Sequence, residues 1–429
     1  MYNNKENINI AILGAGTVGG GVYKLIERMQ PEMPDKIGAS LTVKKVLVRS
    51  LAKERPGFDR NVLTDNWQEI LNDPDIDIVV ELMGGIEPAG TYIVEALKAG
   101  KQVVTANKDL LAECDALVLG TAEEYGRDLI FEAAVAGAIP IIRPLRQSMA
   151  GNNITEIMGI VNGTTNYILS KMSETGMGYE EALAQATELG YAEADPTADV
   201  EGYDAGRKVA IMSSIAFHSR VTFPQVYTEG ITKITAEDIR YAKEFGYVIK
   251  LLGVARLTDT GIEVKVHPML IPKNHSLAAV SDAFNAVFLH GDAMDDITLM
   301  GRGAGEFPTA SAVMGDIIDV CRNIQWGCCG RLSHECYKDI SVKSIGECSS
   351  KFFLRLIVED RPGVLANIAA VLGNNGVSIK KVVQNPKDDT SAELVVITDP
   401  VCEKNFSDAL SVFNGMSVVK KIAGVIRVY

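Results

Sequence analysis

Over its first 135 residues the chain alternates short, mostly apolar runs with longer stretches whose apolar positions lie three and four apart. The runs at 8–13, 43–48, 76–82, 102–105 and 129–135 have the length and apolar character of strands buried on both sides. Residues 18–30 and 93–99 read as helices, the second closed by Gly100 as a C-terminal cap. Such alternation predicts a mainly parallel sheet with helices on both faces.

From about residue 140 the pattern changes. Helical stretches at 166–174, 179–189 and 205–217 mix with strand-like runs at 154–161 and 262–270, which predicts an α+β domain. Residues 331–350 carry no clear period and read as a linker. Beyond them come a strand at 352–358, a turn at Arg361-Pro362-Gly363 and a helix at 364–372 ending near Gly376. A strand at 377–383, a turn at 385–389, a strand at 392–398, a helix at 401–413 and a strand at 418–428 complete a βαββαβ, ferredoxin-like order. The expected division is 1–139, then 140–330 with its last part returning to the first domain, then 331–350 and 351–429.

Composition narrows the partners. The 429 residues carry a net charge of −13 and 47% hydrophobic residues, a globular balance with no general attraction to nucleic acid or an anionic membrane. No apolar stretch of about 18 residues is present and the polar start lacks a signal-peptide core, so the expectation is a soluble, cytoplasmic protein without a membrane partner. The seven cysteines are irregularly spaced. Cys328, Cys329, His334 and Cys336 lie close in sequence but lack a second ligand pair, and reduced thiols are the plainer reading.

Two stretches carry chemistry. Gly14-Ala15-Gly16-Thr17-Val18-Gly19 follows one strand and opens a helix, the setting in which GxGxxG binds a dinucleotide pyrophosphate on a helix N-terminus. The first domain is therefore expected to be a doubly wound, Rossmann-type α/β unit. The second strand ends at Val48-Arg49-Ser50, where an acid would hold the ribose hydroxyls of NAD. An arginine there favours the 2′-phosphate of NADP, with NAD also accepted, and Lys53 and Arg55 follow closely. Gly84-Gly85 and Thr105-Ala106-Asn107-Lys108 fall just past strand ends, on the side where ligands bind such sheets.

The other stretch holds Glu193, Asp195, Asp199 and Asp204 within twelve positions and then Lys208. Asp204 and Lys208 are spaced i, i+4, on a helix face that continues to Ile211 and Ile215, so the lysine is expected toward the interior. A positioned ammonium can protonate the alkoxide that hydride transfer to an aldehyde leaves. Clustered carboxylates suit a substrate ammonium. His218, which closes a helix, and His267, which precedes Pro268, read as structural.

Gly190-Tyr191-Ala192, Asp195-Pro196, Asp199-Val200, Gly202, Asp204 and Lys208 resemble the signature of the homoserine dehydrogenase family. So do Val161-Asn162-Gly163-Thr164-Thr165-Asn166-Tyr167-Ile168-Leu169, Val266-His267-Pro268 and Gly301-Arg302-Gly303-Ala304-Gly305, over about residues 8–325. The resemblance implies reversible NAD(P)H-dependent reduction of L-aspartate 4-semialdehyde to L-homoserine, on the route to threonine and methionine. It assigns Lys208 as proton donor, Lys108 to cofactor and substrate, Glu193 and Asp204 to the substrate, with Asp199 in the same acidic cluster. Gly14, Gly16, Thr17, Val18, Gly19, Arg49, Gly190 and Gly305 fall to the cofactor. It also implies a monovalent cation, Na+ or K+, held mainly by carbonyls at Glu132, Val135, Gly137 and Ile139. With no kinase-like region ahead of the glycine loop, the monofunctional form is expected, while the insertion at 31–40 leaves the adenine-side contacts open.

Asp360-Arg361-Pro362-Gly363-Val364-Leu365 at the first strand–helix junction of the last unit is similar to ACT domains. That similarity implies an amino-acid effector, with threonine as the natural inhibitor, and self-association as a homodimer or homotetramer. A catalytically silent amino-acid sensor on the same fold, or a dehydrogenase of another small amino alcohol, are the competing expectations.

Overall fold

The computed structural model describes residues 5–331 and 336–429. These fall into two compact units: one from the stretch up to Ile154, Ala210–Pro224 and Gly291–Asp339, the other from Thr155–Val209, Gln225–His290 and Ile340–Tyr429.

The first unit is built on six parallel strands: β1 (Asn7–Leu13), β2 (Ser40–Leu47), β3 (Leu63–Thr64), β4 (Ile76–Glu81), β5 (Gln102–Thr105) and β6 (Leu129–Ile130). Their order β3-β2-β1-β4-β5-β6 reverses direction beside β1, which puts the ligand crevice of a doubly wound sheet beyond the carboxyl ends of β1 and β4. The chain reaches each next strand over helices such as Thr17–Met29, Ala89–Lys98 and Lys108–Glu124. Ile8, Ile10, Ile12, Ile78, Val80 and Val104 are shielded by Val22 and Ile26 of the first helix and by Val313, Ile317 and Val320 of the helix Glu306–Trp326. The run expected at 129–135 is a strand only as far as Ile130, because Glu132–Ala134 turns into a 3-10 segment whose glutamate caps the following chain. The helices Lys108–Glu124 and Glu306–Trp326 were not assigned from the sequence.

The turn after β1 is as tight as its glycines require. Gly14 has φ +106°, and a Cβ on Gly19 would stand 2.0 Å from the Gly14 carbonyl oxygen.

The second unit contains β7 (Ile154–Ile160), β8 (Tyr227–Thr228), and the long antiparallel pair β9 (Tyr247–Thr258) and β10 (Gly261–Pro272), followed by β11 (Phe284–Gly291). The chain then supplies β12 (Asp295–Arg302) and the helix Glu306–Trp326 to the first unit and returns with β13 (Ser349–Glu359). It ends with β14 (Ile379–Asp388), β15 (Ser391–Thr398), β16 (Val401–Cys402) and β17 (Val419–Val428). The last region is βαββαβ, its main strands ordered β17-β13-β15-β14 around Leu354, Leu356, Ile368, Leu394, Val396 and Phe413. Its edge strand joins the rest of the unit where β17 pairs with β10 at Met269↔Arg427 and Leu270↔Val428.

Two buried arginines fasten this junction. Arg355 donates to Asp238 (2.9 Å) and Glu393 (2.8 Å), and Arg427 to Glu229 and both oxygens of Glu403 (2.6–2.7 Å). The stretch read as a linker is tied down in its second half, where the Ile262 N–H donates to the Ser341 carbonyl, the Lys343 N–H donates to the Ile262 carbonyl, and Lys343 Nζ reaches Glu263 at 2.7 Å. The turn expected at 385–389 sits later. β14 continues through Pro386 to Asp388, as a proline can in the last strand of a sheet, and Asp388 closes the turn by accepting the Thr390 N–H.

Gly19→Ala should lower the melting temperature, with a loss of about 1–3 kcal/mol from forced overpacking of the turn. It should also weaken dinucleotide binding at least tenfold; differential scanning calorimetry and fluorescence titration measure the two effects.

Candidate active site

In the first unit the glycine loop feeds the helix Thr17–Met29, whose cap Gly16 offers no side chain and whose first turn has no acid. Its N–H groups and positive dipole end are left for an anion. A cleft of about 460 Å3 opens here, bordered by Gly14, Gly16, Gly84 and three cations, Arg49, Lys53 and Arg55, together with Asp65. Arg49 is exposed, and the buried Nε of Arg55 has no partner among the described residues. Thr17 is exposed and Val18 half-buried at the same helix start.

A carboxylate missed from the sequence organises the crevice. Glu81, fully buried at the end of β4, accepts from the N–H groups of Met83 (2.7 Å) and Gly84 (3.1 Å) and from Thr105 Oγ1 (2.6 Å). Thr105 in turn accepts from the Asn107 N–H, whose side chain donates to the Gly85 carbonyl (2.6 Å) and caps the helix Lys108–Glu124 through the Leu110 N–H. One buried charge thus fixes both loops beyond β4 and β5. Its sequence signal was an acid ending an apolar run. Lys108 is the first residue of its helix, where the dipole disfavours a cation unless an anion is close. Gly305, with φ +123°, caps the helix Glu306–Trp326, whose Glu306 pairs with Lys24 at 2.7 Å.

The expected carbonyl loop lies in the same unit. Both oxygens of Glu132 are engaged, accepting the N–H groups of Ile141 (2.6 Å), Ile142 (2.7 Å) and Arg143 (2.7 Å). Val135, Gly137 and Ile139 are buried, and among the described residues no backbone N–H reaches their carbonyls.

In the second unit Lys208 and its neighbours form one hydrogen-bonded cluster. Lys208 Nζ donates to the Val161 carbonyl and to Asp204 Oδ2, both at 2.7 Å. Asn162 Nδ2 bridges Asp204 Oδ2 (3.0 Å) and Asp199 Oδ1 (2.6 Å), while its Oδ1 accepts the Thr165 N–H and caps the helix Gly163–Thr175. The side chains of Lys208 and Asp204 are only 13% and 12% exposed. Lys208 thus sits at the border of the buried face that Ile211 and Ile215 continue, as the spacing requires. Burial, reinforced by the charge of Asp204, holds the Asp199 carboxyl above the ordinary range. Asn162 was quoted in the sequence only as part of a motif; its bridging role depends on a fold contact 37 and 42 residues away. Glu193 and Asp195 stand exposed on the preceding loop, outside this cluster, and Gly190 (φ +76°) is exposed beside them.

His267 is wholly buried, Nδ1 lying 2.9 Å from the Pro268 carbonyl, and burial with nearby Arg427 and Lys265 holds its pKa well down, which makes it a neutral structural group. His218 stacks on Tyr337 at 4.7 Å. Of the cysteine group, Cys328, Cys329 and Cys336 are free thiols, burial pushes Cys329 up to about 12, and His334 lies outside the described residues.

Residues 140–318 match the homoserine dehydrogenase family model, 14–132 its NAD-binding domain, and 352–415 the ACT domain. The homoserine dehydrogenase of Bacillus subtilis is 42% identical over 98% of both chains, and that of Corynebacterium glutamicum 45% identical over 98% of this chain and 95% of its own. The chain belongs to the homoserine dehydrogenase family. It is an oxidoreductase that acts on a CH–OH group with a nicotinamide dinucleotide. The crystal structure of the Thiobacillus denitrificans homoserine dehydrogenase superposes with a TM-score of 0.94 at 41% identity, covering 99% of this chain and 98% of its own. A hyperthermophilic archaeal homoserine dehydrogenase solved in complex with NADPH matches 73% of this chain and 97% of its own at 29% identity, with a TM-score of 0.62. The Rossmann-type, α+β and ACT composition expected from the sequence is that of the family. Among the described residues no helix is long and apolar enough to cross a membrane.

The raised pKa of Asp199 has a sign that can be tested. Its favourable term is complete below the unfolded carboxyl pKa and is lost as pH rises through the higher folded value. Asp199→Asn should therefore melt roughly 2 °C above the parent at pH 8, with the gap closing as pH falls toward 4; melting curves across that range measure it. A constant gap would contradict the assignment.

Proposed function

We propose that the chain interconverts L-aspartate 4-semialdehyde and L-homoserine with NADPH as the preferred carrier, and that Lys208 is the proton donor. The observation that carries this is the ammonium itself. Two of its N–H groups are held by Val161 and Asp204, and the third is uncommitted among the described residues. When bound, the reduced nicotinamide supplies the hydride. Lys208 protonates the oxygen left negative, and Asp204, itself held by Asn162, keeps the Lys208 side chain in place. Asp199, Asp204 and Glu193 are assigned to the substrate ammonium, and Lys108 to cofactor and substrate. The glycine loop, Gly190 and Gly305 are assigned to the dinucleotide.

Arg49, Lys53 and Arg55 support a 2′-phosphate, since an unpartnered guanidinium nitrogen beside the cleft suits an added anion. The buried, unbonded carbonyls of Val135, Gly137 and Ile139 suit a weakly charged cation such as Na+ or K+, with Glu132 as a neighbouring charge. We assign the chain to the cytoplasm, as a homodimer or homotetramer serving threonine and methionine synthesis. Threonine is taken as the inhibitor, with the uncapped start of the helix Val364–Asn374 as its carboxylate site.

Lys208→Ala should cut kcat for NADPH oxidation with aspartate 4-semialdehyde by roughly 10²–10⁴-fold while NADPH binding is kept. A rate near the parent's would remove Lys208 from the proton path, and an inactive parent would remove the substrate. Arg49→Asp should raise KM for NADPH by about tenfold or more and leave that for NADH much less affected; equal effects on both would contradict the 2′-phosphate assignment.

A further inference from the structure

β9 carries a lysine where its pattern calls for an apolar residue. Lys250 alternates with Leu252 and Val254 on the strand face that builds an apolar cluster with Met158, Met269 and Leu277. It is 5% exposed, and Met269 stands opposite it on β10. Its ammonium donates to Asn166 Oδ1 (3.1 Å) and to the Val280 carbonyl (2.5 Å), both neutral acceptors. Among the described residues no carboxylate pairs with it. A buried ammonium without a counter-charge is expensive, and a methionine would fill the position without that cost.

What the lysine holds is the start of the helix Gly163–Thr175. Asn166 Nδ2 lies 2.9–3.2 Å from the carbonyls of Val280, Asp282 and Phe284, so amide and ammonium together clamp residues 280–284 against the helix. The fit is close: a Cβ on Gly163 would stand 2.9 Å from the Ala283 carbonyl oxygen. The Asn166 N–H donates to the carbonyl of Asn162 at 3.3 Å. Four hydrogen bonds in series therefore lead from Lys250 through Asn166, Asn162 and Asp204 to Lys208, all inside one unit. We propose that Lys250 is a positioning residue for the reaction: as an ammonium it fixes Asn166, and through it the Asn162 cap that holds Asp204 against Lys208. The inference rests on the assignment of Lys208 as the proton donor.

The clamp carries its own pH dependence. Burial holds the Lys250 ammonium down to about 8, offset in part by the charge of Glu174. The other charges on the elements packed around it are spent elsewhere. Lys171 pairs with Glu174 (3.0 Å) and Asp282 (3.4 Å), and Asp238, inward on the helix Ala236–Glu244, holds Arg355 at 2.9 Å. His275, on the turn before Val280, faces Phe288 and Tyr429. As pH rises through about 8, Lys250 becomes a neutral amine, its bonds to the two carbonyl oxygens weaken, and the alignment they set relaxes.

The test is kcat for oxidation of L-homoserine by NADP, the same proton transfer in reverse, on the full-length parent, Lys250→Met and Lys250→Arg from about pH 6.5 to 9.5. The parent should exceed Lys250→Met about tenfold at pH 7, and the ratio, in which every shared titration cancels, should fall toward one as pH passes 8. Lys250→Arg, which keeps its charge, should recover most of the pH 7 rate and hold its lead over Lys250→Met at pH 9.5. Melting adds a readout independent of turnover. The folded lysine releases its proton below the usual 10.5, so between about 8 and 10.5 the unfolded chain binds more protons. The parent should therefore gain in melting temperature on Lys250→Met as pH rises through that window. A rate ratio or a melting gap that stays flat with pH overturns the inference and leaves Lys208 in place. If Lys250→Met does not fold, the parent-to-Lys250→Arg ratio decides: it should fall above pH 8, and a flat ratio overturns the inference. A parent without turnover overturns the reaction and this inference together.

Discussion

Asp199 and Asp204 place two carboxyl groups side by side in a largely buried position, which is tolerable because a lysine and an amide bind them. Lys208 neutralises one carboxylate and Asn162 donates to both. The amide can do so because its other end caps the helix Gly163–Thr175, so its orientation is fixed twice. Removing the amide would leave two carboxylates competing for one ammonium, and like charges so close drive one of them to hold its proton. The ammonium would then lose the charge that keeps it in place. The chemistry of the cluster is thus set by a hydrogen-bond donor that carries no charge.

The C-terminal module presents the same physics in a structural role. Arg355 and Arg427 are buried with carboxylates on both sides of the junction they close. Buried ion pairs add little net stability against apolar packing, but removing one partner strands a charge and costs about 3–5 kcal/mol. Such a junction tolerates few alternatives. It is therefore specific in register, which two residues of β10–β17 pairing could not secure alone.

Much of this was legible from residue order. The glycine loop after an apolar run, the i, i+4 aspartate and lysine, and the βαββαβ spacing are local patterns, and local patterns survive in a sequence. Glu81 was not read because a lone acid ending a strand carries no periodicity, and although two of its donors, Met83 and Gly84, are adjacent in the chain, the third, Thr105, is brought beside it only by the pairing of β4 with β5. Asn162 was visible as a motif but its two carboxylates lie far along the chain. The helix Glu306–Trp326 did leave a signal, with Ala310, Val313, Met314, Ile317, Val320 and Cys321 at helical spacing. Lys108–Glu124 left less, since buried Asp115 and Thr121 interrupt its apolar face and Cys114 departs from helical geometry. Glu193 shows the opposite case: the motif places it with the substrate residues, while the fold leaves it exposed on a loop.

The core of the dinucleotide-binding unit is completed by residues some 300 positions beyond its first strand, since Val313, Ile317 and Val320 cover Ile8, Ile10 and Ile12. A chain emerging from the ribosome therefore holds the glycine loop long before it holds the helix that seals the sheet behind it. Most of the second unit's β9 and β10 must be made in the interval. Until Trp326 is out, an apolar sheet face stays open to water and to neighbours, and its contacts are among the slowest kind to form. The order of synthesis, more than the strength of any one contact, sets when this enzyme first becomes safe from aggregation.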